Sequence, residues 1–250
     1  MKPGKRNSPW LVVDLEATCW GEGDPLHGKQ GQISEVIEIG AVILDSRDRV
    51  ITDQFQSFVK PEAYPILTEY CTALTTITQG QVDQAKIFKD VWPLFCLWAA
   101  PYLMDPGFRF VTWGKFDHTK LTQQALAVGL VDPFPLDKDL NLAEVYRRQR
   151  TRQKVHKPAR GLSRALAESG IPFEGTHHRG IDDARMTAIL AAQLLHPDSL
   201  SDYLKKIYVA GKGEQVSRAE ALKILGIKKQ LLPMLYAECK DLGWDLVSDT

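Results

Sequence analysis

The stretch LVVDLEATCW, residues 11–20, places two carboxylates directly after an apolar run that predicts a buried strand. Successive side chains of a strand point to opposite faces, so Asp14 and Glu16 share one face and Leu15 points to the other. Two like charges at the end of one strand repel each other unless cations lie between them. Taken alone, so short a pattern is also typical of solvated acids where a strand meets a loop.

The composition is that of an ordinary globular protein. The 250 residues, 44% hydrophobic and 25% charged, predict one main domain with a real core and an appendage. The formal net charge is zero, so an anionic partner would be held by local patches or by metal ions. The four cysteines form no CxxC pair and no zinc-ligand cluster, which favours free thiols in a reducing compartment. No leader or membrane-spanning run is evident, so we expect a cytoplasmic protein without a membrane partner.

The order of periodic segments predicts an α/β architecture. Strand-like runs at residues 10–17, 35–44 and 49–59 lie close together in sequence and predict an antiparallel meander. Helical periodicity then dominates, interrupted by one strand-like run at residues 108–114. The helical segments are predicted at 66–71, 86–100, 117–129, 141–150, 161–170 and 181–195. This order implies a mixed sheet flanked by helices.

Three regions follow from the composition along the chain. We assign residues 1–9 to an N-terminal tail, 10–196 to the main domain and 197–250 to a small helical C-terminal appendage. Pro233 lies where the second helix of a helix-turn-helix would run, which argues against that motif. A packing role or a contact with another protein is the interpretation that remains for the appendage.

Three more acids lie at helix starts that follow strand or loop segments. Asp117 follows the strand-like run 108–114, and Asp182 and Asp183 open the last apolar helix of the main domain. Each of them could simply cap its helix or interact with the helix dipole. Acids at strand ends and helix starts nevertheless share the edge where α/β sheets place their sites.

Together these acids predict a metal site. Four carboxylates, from Asp14, Glu16, Asp117 and one of the adjacent aspartates, would form an oxygen-only cage for two Mg²⁺ or Mn²⁺ ions. Two such ions suit in-line displacement at phosphorus, one activating water and one stabilising the leaving oxygen. His178 is the candidate general base for that water.

Five motifs carry a resemblance to a known family. They are VVDLEATCW, EVIEIGAV, FVKPEAYPILTEYCTALTTITQGQVDQA, TWGKFDHTKL and HHRGIDDARMTAILAAQLL, in this order. Over residues 10–195 the chain resembles the DEDDh 3′-to-5′ exonucleases, which have an RNase H-like, DnaQ-type fold. It is most similar to the branch of the enhanced-RNAi and histone-mRNA 3′ exonucleases.

The resemblance implies a role for each motif residue. Asp14 would bridge both ions, Glu16 would bind the ion that activates water, and Asp117 would hold the other ion. The third family motif is a histidine, four residues and an aspartate, which selects His178 as the base and Asp183 as a ligand. No motif acid is replaced, so the resemblance implies an active enzyme.

The resemblance also implies how a chain end is held, because stacking on side chains is a sequence-tolerant way to bind a terminal base. The residues placed around that base are Ala17, Tyr70, Phe116 and His118. The loop that begins at Thr75 would lie close to the terminal sugar. We interpret Trp20 and Trp113 as packing residues.

Residues 146–160 contain seven arginines and lysines and no acid. Such a run is often only a solvated surface. With an anionic substrate and zero net charge, it is also the obvious contact for the phosphate backbone upstream of the chain end. The predicted contacts are Arg147, Arg148, Arg150 and Arg152.

The leading hypothesis is a metal-dependent 3′-to-5′ exonuclease. It would act on single-stranded RNA or 3′ overhangs and release nucleoside 5′-monophosphates, with RNA favoured over DNA on the branch resemblance alone. The alternatives are a DNA exonuclease of the same chemistry, a non-catalytic module that binds nucleic acid or protein, and a hydrolase of small phosphoesters.

Overall fold

The computed structural model describes residues 8–27, 34–152 and 161–194, apart from the side chains of Leu136 and Arg152. Within this part, five strands form one sheet in the order β3-β2-β1-β4-β5. The strands are β1 (Pro9–Ala17), β2 (Val36–Asp45), β3 (Val50–Phe58), β4 (Arg109–Thr112) and β5 (Asp139–Asn141). The first strand is therefore central, and its C-terminal end carries the two acids of the opening stretch.

The sheet is mixed, as the sequence predicted. The first three strands form an antiparallel meander, and β4 and β5 continue the sheet in parallel with β1. The register places Asp14 opposite Gly40 and Glu16 opposite Glu38. The pairing of β1 with β2 shifts between Glu16 and Ala17, where the regular ladder ends.

Seven α-helices lie within the described residues. They are α1 (Glu69–Thr75), α2 (Gln79–Asp83), α3 (Phe88–Leu103), α4 (Phe116–Ala127), α5 (Leu142–Arg152), α6 (Leu162–Glu168) and α7 (Gly180–Leu194). All six predicted helical segments are found. The short α2 and β5 were not predicted, although Thr78 and Gln81 form a capping box that indicates the start of α2.

The two faces of β1 have different neighbours. Alternate apolar residues of the strand point into the main core, together with apolar side chains of α3 and α4; they are Leu11, Val13 and Leu15. The opposite face is covered by α7, whose N-terminus lies against β2. A Cβ atom on Gly40 would lie 2.0 Å from the carbonyl carbon of Gly180, so only glycine allows this close approach. The start of α7 is thereby brought to the face of β1 that carries the two acids.

The predicted outer regions are only partly described. The first strand begins at Pro9, one residue before the predicted start of the main domain. Residues 1–7 and the appendage at 197–250 lie outside the described residues. The described cysteines, Cys19, Cys71 and Cys96, are free thiols, as predicted. Among the described helices, none combines the length and the apolar character needed to cross a lipid bilayer.

Candidate active site

The site begins at the C-terminal end of β1. Asp14 and Glu16 lie on the face of this strand that is directed toward α7, because the intervening apolar side chains fill the main core on the other face. Glu16 is only 8% exposed, so its carboxylate is largely removed from water. The two acids therefore lie in a partly enclosed space between the sheet and α7.

Asp117 joins this end of β1 from the first turn of α4. Its Oδ1 atom accepts a hydrogen bond from the N–H of Leu15 at 3.2 Å, across a sequence separation of 102 residues. The N-cap of α4 is Lys115, so Asp117 is not the capping residue of that helix. A buried acid that reaches across to a neighbouring strand indicates a role in the site rather than a local helix cap.

Asp183 and His178 come from the start of α7. Oδ2 of Asp183 accepts a hydrogen bond from the N–H of His178 at 2.9 Å. His178 has a φ of 58°, the left-handed region that residues other than glycine seldom adopt. Ligand atoms of Glu16, His178 and Asp183 all lie within 4.8 Å of one another. The structure thus brings the first and last motifs together at one point.

The neighbouring histidine and aspartate face elsewhere. Oδ2 of Asp182 accepts the N–H of Thr176 at 3.0 Å, and its Oδ1 pairs with Arg185 at 3.2 Å. The ring of His177 lies 3.7 Å from that of Phe173, centroid to centroid. This arrangement agrees with the motif spacing, which selects His178 rather than His177 and Asp183 rather than Asp182.

Burial raises the pKa values of all four acids, and neighbouring carboxylates add to the shift. Burial is the largest cause in each case, and it raises the pKa of Glu16 from 4.5 to about 8, with further contributions from neighbouring carboxylates. The pKa of Asp14 rises well above its ordinary value, through burial and then Asp117 and Asp183. The pKa of Asp117 rises to about 6, although its backbone hydrogen bonds oppose the shift. Burial likewise raises the pKa of Asp183.

This charge arrangement fits divalent cations. Within the described part of the chain, no lysine or arginine forms an ion pair with any of the four acids. Clustered carboxylates without a basic partner are unfavourable in the charged form, and hard cations with oxygen ligands remove that cost. The donor set, carboxylate oxygens with one nearby imidazole, is the type that Mg²⁺ and Mn²⁺ accept.

A cavity of about 400 Å³ opens beside Glu16. Two of the residues predicted to surround a terminal base, Ala17 and Phe116, line it. It is also lined by Trp20 and Leu74, which the sequence did not assign to the site. Trp20, which we interpreted as a packing residue, does pack edge-on against Tyr64, with the ring centroids 5.1 Å apart, and it also lines the cavity. Trp113 packs beside Tyr146.

The other residues predicted to contact the terminal nucleotide, Tyr70, Thr75 and His118, are not among those that line this cavity. Tyr70 is 48% exposed, and its ring lies 3.0 Å from the position of a Cβ on Gly21, in the segment that follows β1. Thr75 is fully buried, and its hydroxyl donates to the carbonyl of Cys71 at 2.8 Å. The side chain of Thr75 is thus internal and is not available to bind the nucleotide, while the position of the loop that it begins at the terminal sugar stays a prediction.

His118 was predicted to surround the terminal base, and the structure corrects this prediction. It is only 4% exposed, and its ring stacks on Phe110 with the centroids 4.3 Å apart. Its ring nitrogens lie 2.7 Å from Asp139 and 3.1 Å from Asp132. Although burial lowers the pKa of His118, these two carboxylates raise it to about 9. The imidazole is enclosed in the core and does not reach the cavity, so it cannot contact a terminal base from this position.

Residues 146–152 of the basic segment form the last turns of α5. Arg147 is exposed, and Arg148 pairs with Glu144 one turn earlier. Arg150 packs on the ring of Tyr146, with its guanidinium carbon 5.5 Å from the ring centroid, and bonds to the backbone carbonyl of Glu168. Arg150 therefore joins α5 to α6. The side chain of Arg152 and residues 153–160 lie outside the described part.

The sequence interpretation missed two charged residues beside the site, Glu38 and Arg179. Glu38 is fully buried directly opposite Glu16, and Arg179 pairs with it. A signal was present, because Glu38 is a charged residue within the otherwise apolar run VIEIGAVIL of β2.

Comparison with known proteins agrees with this geometry. The model of the exonuclease family, RNase_T, matches residues 11–191. The chain belongs to the exonuclease family. Within it, the chain falls in the DEDDh branch of the ERI1 and 3′hExo proteins, as the motifs predicted.

Individual members of the family show how far the likeness extends. The chain is 34% identical over 203 residues to ERI1 exoribonuclease 2 of Homo sapiens, covering 74% of this chain and 28% of that protein. It is 31% identical over 215 residues to the probable 3′-5′ exonuclease KapD of Bacillus subtilis, and the match covers 85% of this chain and 96% of that protein. The nuclease domain of 3′hExo bound to rAMP, a DEDDh family member, superposes with a TM-score of 0.67. That domain is 30% identical, and the match covers 77% of this chain and 94% of the other.

Proposed function

We propose that the protein is a 3′-to-5′ exonuclease that hydrolyses single-stranded RNA or 3′ overhangs to nucleoside 5′-monophosphates. The observation that carries this proposal is the convergence of Glu16, His178 and Asp183 within 4.8 Å, next to the cavity that Glu16 lines. An acid cluster, an exposed imidazole and a cavity are the parts that hydrolysis at a chain end requires.

The four acids would hold two Mg²⁺ or Mn²⁺ ions. Glu16 and Asp183 lie next to each other and would share one ion, and Asp14 and Asp117 would complete the pair of sites. When bound, these ions supply an activated water and stabilise the leaving 3′ oxygen. The raised pKa values of the carboxylates support this assignment, because nearby positive charge would favour their ionised forms.

His178 would accept the proton of the attacking water. Its side chain is exposed beside Glu16, and its backbone is fixed to Asp183. Histidine is the side chain whose ordinary pKa best suits a base near neutral pH. His178 can therefore take the proton from water and pass it to solvent without a change in the fold.

The cavity would hold the terminal nucleotide. Two aromatic residues, Phe116 and Trp20, line it, together with Ala17 and Glu16. Stacking of a base on such side chains depends little on sequence, which suits an enzyme that removes successive nucleotides. Arg147 and Arg148 on α5 would contact the phosphate backbone upstream.

RNA is proposed over DNA because of the relatives. The similar human and mouse proteins are named exoribonucleases, and the similar 3′hExo domain was solved bound to rAMP. The chain spans only 28% of the human ERI1 exoribonuclease 2, so its substrate remains part of the proposal. A DNA substrate, a non-catalytic role and the cleavage of small phosphoesters are the alternatives, and a cytoplasmic location stays a prediction.

One experiment separates these alternatives. Purified protein is incubated with 5′-labelled single-stranded RNA and DNA of the same sequence, with Mg²⁺ or with EDTA. We expect stepwise shortening of the RNA from its 3′ end with Mg²⁺ only. Faster shortening of DNA would indicate the DNA enzyme, and no shortening of either polymer would reject the exonuclease. Competition by a long oligonucleotide against a small phosphodiester would identify a hydrolase of small molecules.

A further inference from the structure

Glu38 is a fifth acid beside the site, and its carboxylate is fully engaged by the protein. The side chain is 0% exposed and lies on β2 directly opposite Glu16. Its Oε1 accepts a hydrogen bond from Gln56 at 2.7 Å, and its Oε2 accepts one from the backbone N–H of Gly180 at 3.1 Å. With both oxygens occupied, Glu38 is a structural anchor and not a further ligand of the acid cluster.

Arg179 supplies the opposite charge. Its Nε atom lies 3.1 Å from Oε2 of Glu38, and its guanidinium carbon lies 5.2 Å from the centroid of the Phe58 ring. Its side chain is 18% exposed, so this is a largely buried ion pair. Removing one partner of such a pair leaves an uncompensated charge in the interior, so the two residues hold each other in place.

The ion pair fixes the chain immediately after His178. Arg179 is the next residue, and Gly180 opens α7, so Glu38 holds both positions that follow the histidine. On the other side, the N–H of His178 is held by Asp183, and φ of His178 is 58°. The backbone at this histidine is therefore fixed from β2 and from α7.

The imidazole ring itself has no comparable support. Across the described part of the chain, no hydrogen bond to the ring of His178 is found, in contrast to His118, whose ring is held by two carboxylates. The position from which the His178 ring can reach the site is thus set by its backbone. Small displacements of a reacting group reduce rates strongly, so the elements that fix this backbone affect catalysis.

We propose that Arg179 and Glu38 are positioning residues that hold the backbone of His178 so that its imidazole faces the site. This rests on the proposed function of His178. Arg179 pairs with Glu38 and holds its carboxylate beside the N–H of Gly180, and Glu38 in turn orders the turn that enters α7. Neither residue touches the substrate or the reacting atoms.

The test measures single-turnover cleavage of 5′-labelled RNA with Mg²⁺ and enzyme in excess. The variants are Arg179→Gln, Arg179→Lys and Glu38→Gln, and the control is Arg185→Gln, which removes a more exposed arginine of α7. We expect Arg179→Gln to lower the maximal rate constant about 10- to 100-fold. The half-saturating enzyme concentration and the reaction amplitude should stay unchanged. Arg179→Lys, which keeps the charge, should recover part of the rate, and Arg185→Gln should match wild type.

A second measurement does not depend on activity. Hydrogen exchange of the His178 and Gly180 amides, followed by NMR without metal or substrate, should be faster in Arg179→Gln and Glu38→Gln than in wild type. Equal exchange, or a wild-type rate constant in Arg179→Gln, would overturn the positioning role. A loss confined to the amplitude would also overturn it, because it would show only a smaller folded fraction. Absence of cleavage by wild type would instead reject the proposed function, and the exchange rates would still decide how the turn is fixed.

Discussion

The side chain of Asp183 holds the backbone of His178, because its Oδ2 atom accepts the N–H of the histidine at 2.9 Å. The bond holds an acid of the proposed metal site beside the backbone of the proposed base. Their sequence neighbours bond elsewhere. Asp182 accepts the N–H of Thr176, and Nδ1 of His177 lies 3.1 Å from the hydroxyl of Ser163. The two histidines therefore provide a matched comparison within one short segment.

Replacing His178 with alanine should remove the base and leave the metal site and the substrate cavity in place. We expect kcat on single-stranded RNA to fall about 10²- to 10⁴-fold, the usual contribution of a positioned base. His177→Ala, one residue earlier, should retain nearly all activity. Steady-state kinetics of the two variants, with melting temperatures to verify folding, decide this. A larger loss in His177→Ala would mean that the motif spacing has been assigned wrongly.

The stability of the metal-free protein should fall as the pH rises from about 5 to 8. The folded protein raises the pKa of Glu16 from 4.5 to about 8 through burial and the nearby carboxylates, so the folded state binds this proton more tightly than the unfolded chain does. The stabilising contribution of this proton is complete below pH 4.5 and disappears as the pH rises through 8. Each unit of pKa difference corresponds to about 1.4 kcal/mol.

Urea unfolding in EDTA at several pH values measures this effect. Glu16→Gln should flatten the pH dependence of the free energy of unfolding, because the titrating group is removed. The control is Glu22→Gln, an exposed residue of the loop after β1, which should leave the slope unchanged. Identical slopes for wild type and Glu16→Gln would show that Glu16 is not the group responsible.

Phe116 should contribute to binding of the terminal nucleotide. It is 55% exposed at the cavity wall, so its ring is available for stacking. Loss of a stacking ring costs about 1–3 kcal/mol per base, so Phe116→Ala should raise KM for a short RNA roughly five- to 150-fold. Leu97→Ala, which truncates an exposed apolar residue on α3, should leave KM unchanged. Equal KM values for the two variants would exclude Phe116 from the binding site.

Arg147 and Arg148 should bind the upstream phosphates. The double variant Arg147→Gln/Arg148→Gln should weaken the binding of a long single-stranded RNA. It should also reduce the slope of log K against log salt by about 0.7 for each phosphate that the arginines no longer neutralise, with kcat unchanged. Arg150 is left intact because it connects α5 to α6. The control is Lys86→Gln/Lys89→Gln, a second exposed pair of charges, and the same salt slope in both double variants would refute the proposed phosphate binding.

The sequence predicted the convergence of the acids well because their positions follow from regular geometry. Residues two apart on a strand share a face, and acids at the starts of helices that follow parallel strands reach the same edge of the sheet. Asp14, Glu16 and Asp117 converge for this reason. Asp183 lies in the first turn of α7, which follows α6 rather than a strand, and it reaches the site because the start of α7 packs closely against Gly40 of β2. The meander and the mixed character of the sheet could likewise be inferred from the order of the segments.

The substrate-facing residues were predicted less well because helix geometry and turns decide their direction. His118 follows Asp117 by one position on α4, about 100° around the helix, so a helix that directs Asp117 to the site directs His118 into the core. Trp20 lies beyond the end of β1, where strand alternation no longer indicates direction. Glu38 needed a partner from the start of α7, and no sequence pattern joins β2 to a residue 141 positions later.

The identity of the product tests the central claim most directly. Single-stranded RNA is digested with Mg²⁺ in water enriched in ¹⁸O, and the first products are analysed by mass spectrometry. Attack of water on the phosphorus of the last linkage predicts nucleoside 5′-monophosphates that carry ¹⁸O and come from the 3′ end. Release of nucleoside 3′-phosphates or cyclic phosphates, or products from the 5′ end, would contradict the account.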